Sequence, residues 1–215
     1  MIIGKPARYL TASGLWLLGS SAAWGLGFAA LRSPVIDHPE QLPAVAVTLA
    51  ALGAVIGLTL GVSATLAFRR MLKIPGSWFV PTAIGVPLGL VIGFYGNGLF
   101  LLRQVHRLGM QMAGEGGGAT ISPPATITLA LAGLVLACIQ LPFLAKDLAP
   151  NLQARALWIL GSVAAYGGGW SGSAILLGAA HPSALQGALT GMISGVTILL
   201  LVLVLEAEWR RQATR

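Results

Sequence analysis

Gln140 is the residue in this chain best suited to bind something. It is the one amide in the apolar stretch from Ala125 to Ala145. An amide donates and accepts at once, so at membrane depth it either holds a neutral polar solute or ties one helix to another. Asn97 and Ser162 are its natural companions in a candidate polar path. Thr59, Ser63, Thr65, Ser171, Ser173, Gln186, Thr190, Ser194 and Thr197 also fall inside apolar stretches, where their plainer use is bonding between helices or back to a helix carbonyl. One amide specifies no substrate.

Other chemistry is harder to assemble. His38, His106 and His181 come from three separate connections, and none has a second ligand three or four residues away, so no metal site is expected. No cofactor is predicted; a haem or chlorophyll on one such histidine is indistinguishable by position from an interfacial polar residue. The single cysteine, Cys138, lies in an apolar stretch, permits no intrachain disulfide and reads as packing. Nucleotide loops, zincin helices, serine elbows and CxxC pairs are all missing. No Asp, Glu, Lys, Arg or His stands near the middle of any apolar stretch, which counts against proton-coupled carriers, pumps and voltage sensors.

The elements that position these residues follow from composition. With 56% hydrophobic and 9% charged residues, 215 residues cannot cover themselves with polar surface. The chain is expected to be an integral membrane protein, all-α, because its apolar runs lack the alternation of barrel strands. The net charge of +7 sits in short clusters at the ends of those runs, which suggests lipid headgroups and membrane orientation as its partners, with no nucleic acid.

The chain repeats itself. Trp16-Leu-Leu-Gly19-Ser20-Ser-Ala-Ala23-Trp24-Gly25-Leu-Gly27 returns 142 residues later as Trp158-Ile-Leu-Gly161-Ser162-Val-Ala-Ala165-Tyr166-Gly167-Gly-Gly169. A weaker copy, Trp78-Phe-Val-Pro81-Thr82-Ala-Ile-Gly85-Val-Pro87-Leu-Gly89, lies 62 residues after the first. This predicts three tandem two-helix hairpins in one membrane domain, with units over residues 11–73, 74–150 and 151–206 and a polar tail over 206–215. Lys5 and Arg8 before the first apolar stretch, with small residues near Ala29, imitate a signal peptide. The internal recurrence favours a retained transmembrane helix.

Six spans are expected, over about 11–31, 44–68, 78–102, 125–145, 156–178 and 185–205. The third carries Pro81 and Pro87 and is expected to kink; the stretch after it, to Met112, is expected to leave the bilayer or lie along its surface. Three glycine series at four-residue spacing, Gly53, Gly57, Gly61, then Gly85, Gly89, Gly93, then Gly187, Gly191, Gly195, predict zipper-like faces where helix backbones approach closely. Trp16, Trp78 and Trp158, near the starts of odd helices, are expected in the interfacial belt, and Trp24 and Trp170 against glycine faces. Ten Lys and Arg on one set of connections against three on the other predict cytoplasmic N- and C-termini.

Three two-helix units resemble the plan of mitochondrial carriers, but the acidic and basic signature at the ends of their odd helices is missing, and that match is rejected. The W-x-x-G-S-x-A-A-[WY]-G-x-G block, followed by a glycine-spaced helix ending at Arg69-Arg70 or Lys146, resembles uncharacterised multi-pass bacterial membrane proteins built from Trp/Gly-rich two-helix repeats. That resemblance brings no activity. The expectation is a non-enzymatic accessory or structural subunit in a cell or internal bacterial membrane, with other membrane subunits as partners. The alternative is a passive channel or carrier for a small neutral solute or lipid.

Overall fold

The structure is a computed structural model and describes residues 5–30, 42–72, 78–108, 123–144, 151–178 and 183–213. These form six α-helices: α1 Lys5–Ala30, α2 Leu42–Leu72, α3 Phe79–Leu108, α4 Pro123–Leu144, α5 Leu152–Leu177 and α6 Ala184–Ala213. Four of them contain a stretch long and apolar enough to cross a membrane: Pro43–Arg69, Phe79–Asn97, Ala125–Leu144 and Ala184–Glu208. Helices α1 and α5, with 26 residues each, have the length, but Gly, Ser and Trp dilute their apolar content.

Several ends differ from expectation. Helix α3 runs unbroken through Pro87 and on to Leu108, where the sequence suggested a separate surface piece beyond Leu102. Pro81 falls in its first turn, where a missing N–H costs nothing. Helix α6 extends through most of the expected polar tail to Ala213. Charged residues do not end a helix whose last turns have polar partners: Tyr9 Oη donates to Glu206 at 3.3 Å, and Arg211 pairs with Glu208 at 3.6 Å, three residues apart. Helix α5 has the clearest caps. The Asn151 side chain accepts from Ala154 N at 2.8 Å, and Gly178 closes the helix in the left-handed region at φ 59°, which glycine adopts without strain.

The helices close on themselves in chain order. Each packs on its sequence neighbours, and α6 packs on α1, so the six make a ring with none of the described helices at its centre. Glycine sits at every junction. A Cβ added at Gly27 would lie 2.6 Å from Ile56 Cδ1, at Gly57 3.0 Å from Thr82 O, and at Gly89 2.7 Å from Ala132 O. At Gly133 it would lie 2.6 Å from Ser162 O, at Gly169 2.9 Å from Thr190 O, and at Gly191 it would press into Ser20 O. At the five positions that meet a carbonyl oxygen, a larger residue would hold two backbones apart and forfeit the dispersion contacts between them; at Gly27 it would meet the ends of the Ile56 and Leu52 side chains.

What fills the ring is aromatic. Trp16, Phe68, Trp78 and Trp158 form a continuous chain of rings with centroids 5.0, 6.4 and 5.5 Å apart. Nearer the other end, Trp24 meets Phe28 at 5.7 Å and Tyr166 at 5.8 Å, and Phe28 meets Trp170 at 5.3 Å. The Trp78–Trp158, Trp24–Tyr166 and Phe28–Trp170 pairs join helices that are not ring neighbours, so these side chains meet across the middle. Trp16, Trp78 and Trp158, expected in the interfacial belt, are turned inward and buried among the helices, not set against lipid. Large flat side chains are the residues able to span the centre of a ring with no central helix. Leu18, Val47, Leu160, Leu185 and Leu200 point outward and make the outer surface apolar.

Candidate polar site on the ring interior

The polar residues singled out in the sequence are buried, but they do not form one path. Gln140 Nε2 donates to Thr82 Oγ1 at 3.1 Å, tying α4 to α3, and Thr82 in turn donates to Trp78 O at 3.0 Å. Asn97 Nδ2 donates to Thr128 Oγ1 at 3.0 Å, again between α3 and α4. Asn97 stands 15 residues beyond Thr82 on α3, about 22 Å along the helix axis. Buried Val86 and Leu90 separate the two. A small cavity of about 10 Å³ lies there, lined by Trp24, Val86, Leu90, Ala132, Leu136 and Tyr166. Its size is at the lower limit for one water molecule.

Most hydroxyls bond within or between helices. Thr59, Ser63 and Thr197 donate to carbonyls four residues earlier at 2.9, 2.7 and 3.0 Å. The Ser173–Thr190 hydroxyl pair joins α5 to α6 at 2.8 Å, and Thr126–Ser171 joins α4 to α5 at 3.0 Å. At the α6–α1 junction, Trp16 Nε1 donates to Gly195 O at 2.8 Å, Ser20 Oγ to Gly191 O at 2.7 Å and Ser21 Oγ to Ala188 O at 3.0 Å.

A second group is buried without a partner among the described residues: Trp24 Nε1, Thr65 Oγ1, Trp158 Nε1, Ser162 Oγ, Trp170 Nε1 and both amide atoms of Gln186. Gln186 is 0% exposed, and the sequence offered no reason to rank it above Gln140. Only its burial distinguishes it, because an amide near a helix start is ordinarily solvated. Ser162 is the member of the expected polar path that belongs to this group.

The three glycine series lie at different junctions. Gly53, Gly57 and Gly61 face Pro87, Thr82 and Phe79 on α3; Gly85, Gly89 and Gly93 face Leu136, Ala132 and Thr128 on α4. Gly187, Gly191 and Gly195 face Trp24, Phe28, Ser20 and Leu17 on α1. Cys138 is exposed on α4, against the expectation that it packs. No group of three or more His, Cys, Asp or Glu able to hold a metal occurs among the described residues. His38, His181 and the His106 side chain lie outside them. No family model, curated protein or solved structure matches this chain.

Proposed function

We propose that this chain is a non-enzymatic membrane protein of six spans, three tandem two-helix hairpins with both termini in the cytoplasm, serving as a structural or accessory subunit of a larger membrane assembly. The observation that carries this reading is the filled axis. Two sets of aromatic rings meet across the middle of the helix ring, and the amides of Gln140 and Asn97 are spent on neighbouring helices some turns apart. A passage for solute needs a connected polar lining, because each unpaired polar group of the solute costs free energy in a dry interior. The apolar outer surface, with Leu18, Leu160 and Leu185 well exposed, suits lipid tails and partner helices alike.

The triple-hairpin reading draws support from equivalent contacts. Gly57, Gly133 and Gly191 stand against the backbone carbonyls of Thr82, Ser162 and Ser20, the residues aligned by the sequence repeat. A passive channel or carrier for a small neutral solute or lipid is the second reading, favoured by the ring without a central helix and by the unpartnered inward polar atoms. Purification in mild detergent separates the two. An accessory subunit co-migrates with other membrane proteins in a defined ratio, whereas recovery as a lone species active in solute uptake contradicts it.

A further inference from the structure

Of the 13 Lys and Arg, ten share one set of helix ends and connections with only Asp147, Glu206 and Glu208, while the three on the other set are matched by Asp37, Glu40 and Glu115. The whole net charge of +7 therefore belongs to one set. The structure draws the helix ends of that set together. Tyr9 Oη donates to Glu206 at 3.3 Å, which joins the start of α1 to the end of α6. The rings of Trp16, Phe68, Trp78 and Trp158 meet in turn beneath this contact, so the end of α2 and the start of α5 stand at the same level. Arg69 follows Phe68 directly, Arg155 comes one turn before Trp158, and both are exposed. Just inside them the outer surface is apolar: Leu10, Leu66 and Leu157, each within three residues of Arg8, Arg69 or Arg155 on the side toward the middle of the helix, are 74%, 51% and 47% exposed.

We infer that this end of the ring binds the headgroups of anionic phospholipids, with Arg69 and Arg155 among the residues that take the phosphate. A guanidinium presents a planar fork of donors that matches two phosphate oxygens, and seven of the ten cations are Arg. A lipid fits better than a free anion because the cations border outward leucines: acyl chains cover Leu66 and Leu157 while the phosphate meets the Arg beyond them. The excess of positive charge selects a negative headgroup over a zwitterionic one, whose own ammonium is repelled. The inference rests on the membrane-spanning reading and is independent of the subunit role.

The test uses the full-length protein in micelles of an uncharged detergent carrying phosphatidylglycerol or phosphatidylcholine, with the retained lipids counted by native mass spectrometry. Phosphatidylglycerol is expected to bind about tenfold or more tightly, and Arg69→Gln and Arg155→Gln each to weaken it by about fivefold while leaving phosphatidylcholine unchanged. Arg103→Gln, toward the other end of α3, is expected to change neither. Equal binding of the two lipids overturns the inference, as does a preference that both of the first two variants keep. Displacement of phosphatidylglycerol by the same concentration of inorganic phosphate would assign the end to a free anion and overturn it too. A protein recovered from membranes without detergent would overturn the spanning reading and this inference with it, so the two failures are told apart. If a variant does not fold, the wild-type comparison of the two lipids decides alone.

Discussion

The α6–α1 and α4–α5 junctions are built from the same parts and finished differently. In both, a glycine on the even helix lets it touch the backbone of a Ser on the odd helix, and a Trp lies one turn before that Ser. At α6–α1 the indole and hydroxyl are bonded to carbonyls of the facing helix; at α4–α5 they are buried with no such bond. Close approach and polar satisfaction are therefore separable. Glycine sets the first, and the second does not follow from it.

The largest effects should come from the shared part. Gly191→Leu and Gly133→Leu both force a side chain into a backbone carbonyl, and each is expected to destabilise the protein by about 3 kcal/mol, the upper end of what overpacking a close-packed interior typically costs. Thermal midpoints in detergent, against an outward Leu160→Ala control, check this; equal shifts in all three would remove the claim that glycines set the approach.

A smaller difference separates the junctions. Trp16→Phe and Trp158→Phe lose similar ring area, but only the first breaks a hydrogen bond to a helix carbonyl. Trp16→Phe is expected to cost more by about 1 kcal/mol, the usual net worth of such a bond. Equal losses would mean that the two indoles are equally well satisfied.

Cysteines at the exposed positions Gln153 and Ala184, near opposite ends of the α5–α6 hairpin, should cost almost nothing in stability and report only sidedness. Ala184→Cys is expected to react with an impermeant thiol reagent from outside and Gln153→Cys not, from the ten-to-three distribution of Lys and Arg. The reverse pattern would invert the orientation.

Much of this arrangement was legible because glycine and tryptophan carry position-specific constraints. The alignment of Trp16, Trp78 and Trp158 marked residues that share a level in the ring, although it could not tell a lipid-facing indole from one turned inward. That choice depends on there being no helix at the centre, which is a property of ring closure and not of any single segment. Gly133 escaped notice because its neighbours at four-residue spacing are Leu129 and Ala137, so no series announced it. Gln186 reads in the sequence as one more polar residue inside an apolar stretch, and its complete burial appears only when α6 packs on α1 and α5. The extension of α6 past Glu206 was hidden for the opposite reason: composition marked a polar tail, and its contact with Tyr9 comes from the other end of the chain.

The central claim is that the axis is filled, and solute flux in liposomes tests it most directly. Reconstituted alone, the protein is expected to give no flux of water, glycerol or small ions above empty vesicles, and Gln140→Leu, which breaks the bond to Thr82, should leave that baseline unchanged while lowering stability. A flux that appears with the wild type and disappears in Gln140→Leu would contradict the filled axis and make the ring a conduit.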